Sequence, residues 1–211
     1  YHLDAAREKG YTGKGVTIAI IDGPVDVSVP ELAGANIVDK TQCSVEATDE
    51  LKTHGTSVAS LLVSRDYGVV PDATLLSYQV LDPTSRVGGD CSFQNNLRLT
   101  DLSSLINHAI NDGASIINYS SSTRSQGNDL KWAIARAMNQ GVIITASVGN
   151  KATDENSSHL SQWSGVVGVS AINTDGKFAS YSSWGEGVTT TAVGGPFTER
   201  NLVLGSISQT Q

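Results

Sequence analysis

Five short runs dense in apolar and β-branched residues punctuate the chain: GVTIAIID at 15–22, ATLLSYQVL at 73–81, ASIINYS at 114–120, VIITASV at 142–148 and VVGVSAI at 166–172. Each has the length of a strand, and each is expected to be buried on both faces. Two segments between them carry a different period. Leu102, Leu105, Ile106, Ala109 and Ile110 fall at offsets 0, 3, 4, 7 and 8, and Leu130, Ala133, Ile134, Ala137 and Met138 repeat them. That spacing puts one apolar stripe on a helix. Both stripes run into a glycine, Gly113 in NDGAS and Gly141 in NQGVI, where a left-handed residue closes a helix. Strand, helix and strand in succession predict right-handed crossovers and a parallel sheet. The expected fold class is α/β: three layers, a mostly parallel doubly wound sheet with helices on both faces. No repeat, low-complexity segment or linker interrupts residues 1–211, so one domain is expected.

Ligands of open parallel sheets bind beyond the carboxyl ends of the strands. The polar residues at those ends are Asp22, the stretch Tyr119 to Ser122, and the stretch Val148 to Asn150; neighbouring strands would gather them along one edge. Asp22 follows an apolar run, where a carboxylate is costly unless something satisfies it. It is either a functional acid or a cap for the following turn. His54 opens HGTSVASLLVS, in which Val58, Leu61 and Leu62 make an apolar stripe. At a helix start it is either a general base held near the strand ends or a capping histidine. Asn150, after Gly149, is either a donor to an oxyanion or a turn residue with positive φ.

Their combination is more specific than any one of them. GKGVTIAIIDG, HGTSVAS and ITASVGN, in this order, resemble three signature blocks of the subtilisin-like serine peptidases. DGASIINYSSS resembles the strand that walls that family's substrate groove, and FASYSSWGEGVTTTAVGG the segment that approaches its nucleophile. The resemblance implies that His54 is the general base, that Asp22 orients its imidazole, and that Asn150 stabilises the oxyanion. It implies that Ser120, Ser121, Ser122, Ser147, Val148 and Gly149 flank the pocket for the residue before the scissile bond. It implies no cofactor.

The chain also departs from the family. No Gly-Thr-Ser block follows AVGG at 192–195, and PFTERNLVLGSISQTQ ends the sequence. The nucleophilic serine is therefore expected just after Gln211, the sheet is expected to be incomplete at that end, and a companion C-terminal fragment is a possible partner. GTSVA at 55–59 matches the nucleophile pattern, but Ser57 follows His54 so closely on one helix that it is expected to be a decoy. Asp22 is followed by GPVD, where most of the family has Thr-Gly or Ser-Gly. With GANI shortly after, this looks most like proteases that trim ribosomal precursor peptides of the cyanobactin type. Between Asp22 and Val69 there is no room for the helical insertion of their macrocyclases, which favours plain hydrolysis. The loop that carries the tight calcium site of secreted relatives is absent after His54, so no metal is expected there. Ser122 stands where the pocket strand usually has Gly. The competing reading is a catalytically inactive, peptide-binding module on the same scaffold.

Composition narrows this only a little. A net charge of −7 argues against nucleic acid and anionic membranes as partners, leaving a peptide or protein substrate. No apolar run approaches the ~20 residues of a membrane helix. Gly10–Gly15 is glycine-rich but precedes its strand, whereas phosphate-binding loops follow theirs. Cys43 and Cys91 are either one disulfide, which goes with secretion, or two buried thiols. A precursor-processing enzyme would instead be cytoplasmic.

Overall fold

The computed structural model describes residues 3–41, 47–80, 101–121, 127–154 and 160–195. Cys43, Cys91 and Ser122 lie outside them, and with these the two alternatives for the cysteines. Two compact units divide after Ser115.

The first unit contains helix α1 (Leu3–Glu8), strand β1 (Thr17–Asp22), β2 (Ile37–Asp39), α2 (Asp49–Val63), β3 (Thr74–Gln79) and α3 (Leu102–Asn111). Its strands are parallel in the order β2-β3-β1, with Thr17 opposite Thr74 and Ile37 opposite Leu75. Ile18 to Asp22 are all buried, because α2 and α3 both pack on β1. Leu105, Ile106, Ala109, Ala59 and Val63 supply the helix side of this core. The two-sided burial expected from GVTIAIID is what the strand shows.

The helix that bears His54 differs from the expected one. It begins five residues before His54, at Asp49, where the Thr48 hydroxyl accepts from the Leu51 amide at 3.3 Å and Asp49 and Glu50 occupy the first turn. A hydroxyl cap and two carboxylates satisfy and complement the helix N-terminus. His54 thus sits in the second turn and not at the start. The buried face is Gly55, Thr56, Ser57, Ala59, Ser60 and Val63, while Leu61 is exposed. Small and hydroxylated residues face the core here, so the Val58, Leu61 and Leu62 stripe is not the packing face.

The second unit contains β4 (Ile116–Tyr119), α4 (Asn128–Asn139), β5 (Ile143–Ser147), β6 (Val166–Ile172) and β7 (Thr190–Val193). Its strands are parallel in the order β4-β5-β6-β7. Leu130, Ala133, Ile134 and Ala137 are buried, and α4 packs on β5; Met138, counted with that stripe, is exposed. β4, β5 and β6 alternate between buried and more open positions, so they are less enclosed than β1. β7, which no hydrophobic pattern announced, is exposed at all four residues. Gly113 and Gly141 follow α3 and α4 with φ of 83° and 70°, the left-handed closure expected of them. Among the described residues no helix is long and apolar enough to cross a membrane. The fold class is α/β, and the strands described in each unit pair in parallel, with one isolated antiparallel bridge between Ile172 and Phe178.

Candidate active site

Asp22 is the last residue of β1 and is 2% exposed. Its Oδ1 accepts the Gly23 amide at 2.7 Å and lies 2.7 Å from His54 Nδ1. An ionised carboxylate only accepts, so the pair assigns the imidazole proton to Nδ1. Nε2 is left as the acceptor of the neutral ring, the tautomer a general base requires. Oδ2 of Asp22 is buried and has no hydrogen-bond partner among the described residues. Asp22 thus caps the following turn, one of the two alternatives weighed for it, and meets His54 through the same oxygen.

Backbone contact sets this distance. A Cβ on Gly23 would lie 2.0 Å from the Leu51 carbonyl oxygen, and one on Gly55 would lie 2.3 Å from that of Gly23. The turn after β1 and the second turn of α2 therefore touch main chain to main chain, and only glycine allows it. This accounts for the departure after Asp22, since Thr or Ser at position 23 has no room. Sequence reasoning marked the departure but missed its partner, Gly55.

Ser57 is 1% exposed, and its hydroxyl donates to the Thr53 carbonyl at 2.8 Å. It is turned back into its own helix, with no access for a carbonyl substrate.

The other residues singled out belong to the second unit. Ser120 follows β4, and its hydroxyl accepts from the Asn118 side-chain Nδ2 at 2.8 Å; Ser121 is half-buried. Ser147 ends β5, and its hydroxyl accepts the Gly149 amide at 3.1 Å. Val148 is buried and donates its amide to the Val169 carbonyl at 3.1 Å. Gly149 turns the chain with φ of 105°, and Ala152 is the described non-glycine residue with positive φ. Asn150 is therefore not the left-handed residue of its turn. It is exposed, and its side-chain amide makes no hydrogen bond among the described residues. Ser183 fastens the main chain on either side of it: the Ser183 amide donates to the Gly149 carbonyl at 3.0 Å, and the Lys151 amide donates to the Ser183 hydroxyl at 3.3 Å.

Comparison with known proteins bears on this arrangement. The profile of the Subtilase family matches residues 13–210. Subtilisin amylosacchariticus of Bacillus subtilis subsp. amylosacchariticus is 29% identical over 201 residues, covering 90% of this chain and 49% of its own length. The chain thus spans about half the length of the curated relatives it matches. Among solved structures, the prenylagaramide maturation protease PagA is 26% identical with a TM-score of 0.70, over 88% of this chain and 64% of that one. The patellamide maturation protease PatA is 25% identical with a TM-score of 0.68, over 86% and 66%. The likeness read from DGPVD is thus matched by the fold of two maturation proteases. With a buried carboxylate against a histidine at the end of the first strand, and a profile that fits nearly its whole length, the chain belongs to the Subtilase family and has the subtilisin-like α/β fold.

Proposed function

We propose that this chain is the larger part of a serine endopeptidase domain that cleaves precursor peptides. His54 acts as the general base that takes the proton of a serine and returns it to the leaving amine. Asp22 fixes the ring tautomer and stabilises the imidazolium. Asn150 donates to the oxyanion of the tetrahedral intermediate. The observation that carries this reading is the 2.7 Å contact between His54 Nδ1 and the buried Asp22 carboxylate, which belongs to an Asp-His-Ser mechanism and to few structural roles. The buried, back-bonded hydroxyl of Ser57 supports a nucleophile from outside residues 1–211, in a Gly-Thr-Ser block that follows them or on a companion fragment. Ser120, Ser121, Ser122, Ser147, Val148 and Gly149 are proposed to border the pocket for the residue before the scissile bond. The maturation roles in the names of PagA and PatA support a precursor peptide as substrate.

Fluorophosphonate labelling of the full-length polypeptide, followed by peptide mapping, tests the assignment. Adduct is expected on a serine C-terminal to Gln211 and to disappear in His54→Ala. Adduct on Ser57, or none with an intact full-length chain, overturns it. Incubation with leader-bearing precursor peptides tests the substrate class: cleavage at one defined junction supports it, and indifferent digestion of denatured proteins argues for a general protease.

A further inference from the structure

The turn that follows Asp22 is fastened to α2 by more than glycine contact. Thr56, two residues after His54, is fully buried. Its hydroxyl donates to the Lys52 carbonyl at 2.7 Å, back across the helical turn that carries His54. The same oxygen accepts the Asp26 amide at 2.9 Å. The Asp26 carboxylate is itself held in place. Oδ1 accepts from the Ser28 amide at 2.9 Å and the Ser28 hydroxyl at 2.5 Å, and Oδ2 lies 3.9 Å from Lys52 Nζ. One hydroxyl thus joins the helical turn of the histidine to the loop that begins at the aspartate, with an ion pair beside it.

A buried amide needs an acceptor. Removing the Thr56 oxygen takes away the acceptor of this part-buried Asp26 amide, and the loop gains by moving out to water. Because Gly23 and Asp26 lie on the same short loop, that movement loosens the contact between Gly23 and Gly55. The gap between Asp22 and His54 is then no longer fixed.

We propose that Thr56, through the Asp26 amide, is a positioning residue for His54: it holds the imidazole against Asp22 and touches neither substrate nor the reacting atoms. This rests on the reading of Asp22 and His54 as a base and its orienting partner. Asp26 and Lys52 support the same latch from the carboxylate side.

The test reads the histidine directly. In proton NMR of the full-length protease labelled with 15N-histidine, the Nδ1 proton bonded to a carboxylate resonates far downfield. Thr56→Val, which keeps shape and loses the hydroxyl, is expected to shift that resonance upfield or broaden it by exchange. Thr56→Ser, which keeps the oxygen, is expected to leave it in place. In the full-length protease, Thr56→Val is expected to lower kcat roughly ten- to a hundredfold, the scale of a small misplacement of a catalytic group, with KM unchanged. A fall in melting temperature with the resonance and kcat unmoved would show Thr56 to be merely structural and overturn the proposal. If Thr56→Val does not fold, Asp26→Asn is read instead; it removes the charge that pairs with Lys52, and a smaller shift in the same direction is expected. No shift there also overturns the proposal. Asp22→Ala separates the two levels: if it leaves the Nδ1 resonance intact, the reading of the pair itself fails, whatever Thr56 does.

Discussion

The ends of β1 and β5 are built on opposite terms. At the end of β1 the polar groups are matched to one another: Asp22 is buried, its Oδ1 takes two partners, and two glycines bring main chains into contact. At the end of β5 the main chain is fastened while the side chain is left open. Ser183 ties down Gly149 and Lys151, the Ala152 amide donates to the Tyr181 carbonyl at 3.0 Å, and the Trp184 amide donates to the Thr153 carbonyl at 3.1 Å. Between these bonds Asn150 stays exposed, its side chain without a hydrogen-bond partner among the described residues. On the proposed mechanism the difference has a physical reason. A carboxylate that must hold one ring in one orientation is best fixed by hydrogen bonds from the start. A donor that acts only on charge developing in the transition state is most useful if no ground-state bond occupies it.

The largest expected effect falls on the matched end. Asp22→Asn keeps the shape and removes the acceptor that fixes the tautomer. In the full-length protease kcat should fall by about 10⁴-fold, measured on a peptide substrate by initial rates. A loss of less than tenfold would mean that His54 does not need its partner, and the contrast between the two strand ends would collapse.

The open end should respond differently. Asn150→Ala is expected to lower kcat by about 10²–10³-fold, the size known for the corresponding donor of a subtilisin. Folding stability should change by no more than about 0.5 kcal/mol, as for other exposed side chains. Urea denaturation and substrate kinetics on the same preparation check both parts. A large loss of stability would show that Asn150 is structural after all.

Gly55→Ala attacks the contact on which the matched end depends. Alanine gains about 1 kcal/mol of helix propensity over glycine, so on an open helix it would stabilise. Here its methyl group would lie 2.3 Å from the Gly23 carbonyl oxygen, and a forced main-chain shift costs typically about 1–3 kcal/mol. The clash outweighs the propensity, and a lower denaturation midpoint is expected. An unchanged or higher midpoint would remove close approach as the reason for glycine.

These two ends were also unequally legible in the sequence. Strands β1, β3, β4, β5 and β6, and helices α3 and α4, announced themselves through β-branched runs and a 3.6-residue period closed by Gly113 and Gly141. The start of α2 did not, because its core face is Gly55, Thr56, Ser57 and Ser60, and burial of small polar residues leaves no hydrophobic period. β7 did not either, since none of Thr190 to Val193 is buried. Asp22 and His54 were identifiable as a pair only through the order of the blocks around them. That they meet depends on main-chain contact between residues far apart in the chain, which no local spacing encodes. The hydroxyl of Thr56 carried no signal at all: a threonine in a helix looks ordinary until the amide it receives is seen.

The smallest effect tests whether polar pairing in the first unit extends beyond the strand end. Tyr78 on β3 is buried, its hydroxyl donates to Asp112 Oδ2 at 2.7 Å, and Lys40 Nζ lies 3.4 Å from the same oxygen. Burial, and then the Asp112 hydrogen bond and charge, push the tyrosine far above its ordinary range. The Tyr78 hydroxyl, and then Lys40, hold the Asp112 carboxyl below its own. The two shifts act at opposite ends of the pH scale. A tyrosine raised on folding contributes stability that is present below about pH 10 and is lost as pH rises beyond it. A lowered aspartate contributes stability that is present above about pH 4 and is lost as pH falls beneath it. Tyr78→Phe removes the tyrosine's contribution and the share of the aspartate's that the hydroxyl supplies, leaving the share that Lys40 supplies. The stability difference between wild type and variant should therefore form a plateau of about 1 kcal/mol between roughly pH 5 and 9, and narrow on either side. Urea midpoints taken in pH steps would trace it. A difference that stays constant into the acid limb would mean that the hydroxyl is packed but not paired with Asp112, and that matched polar contacts in this unit are confined to Asp22 and its neighbours.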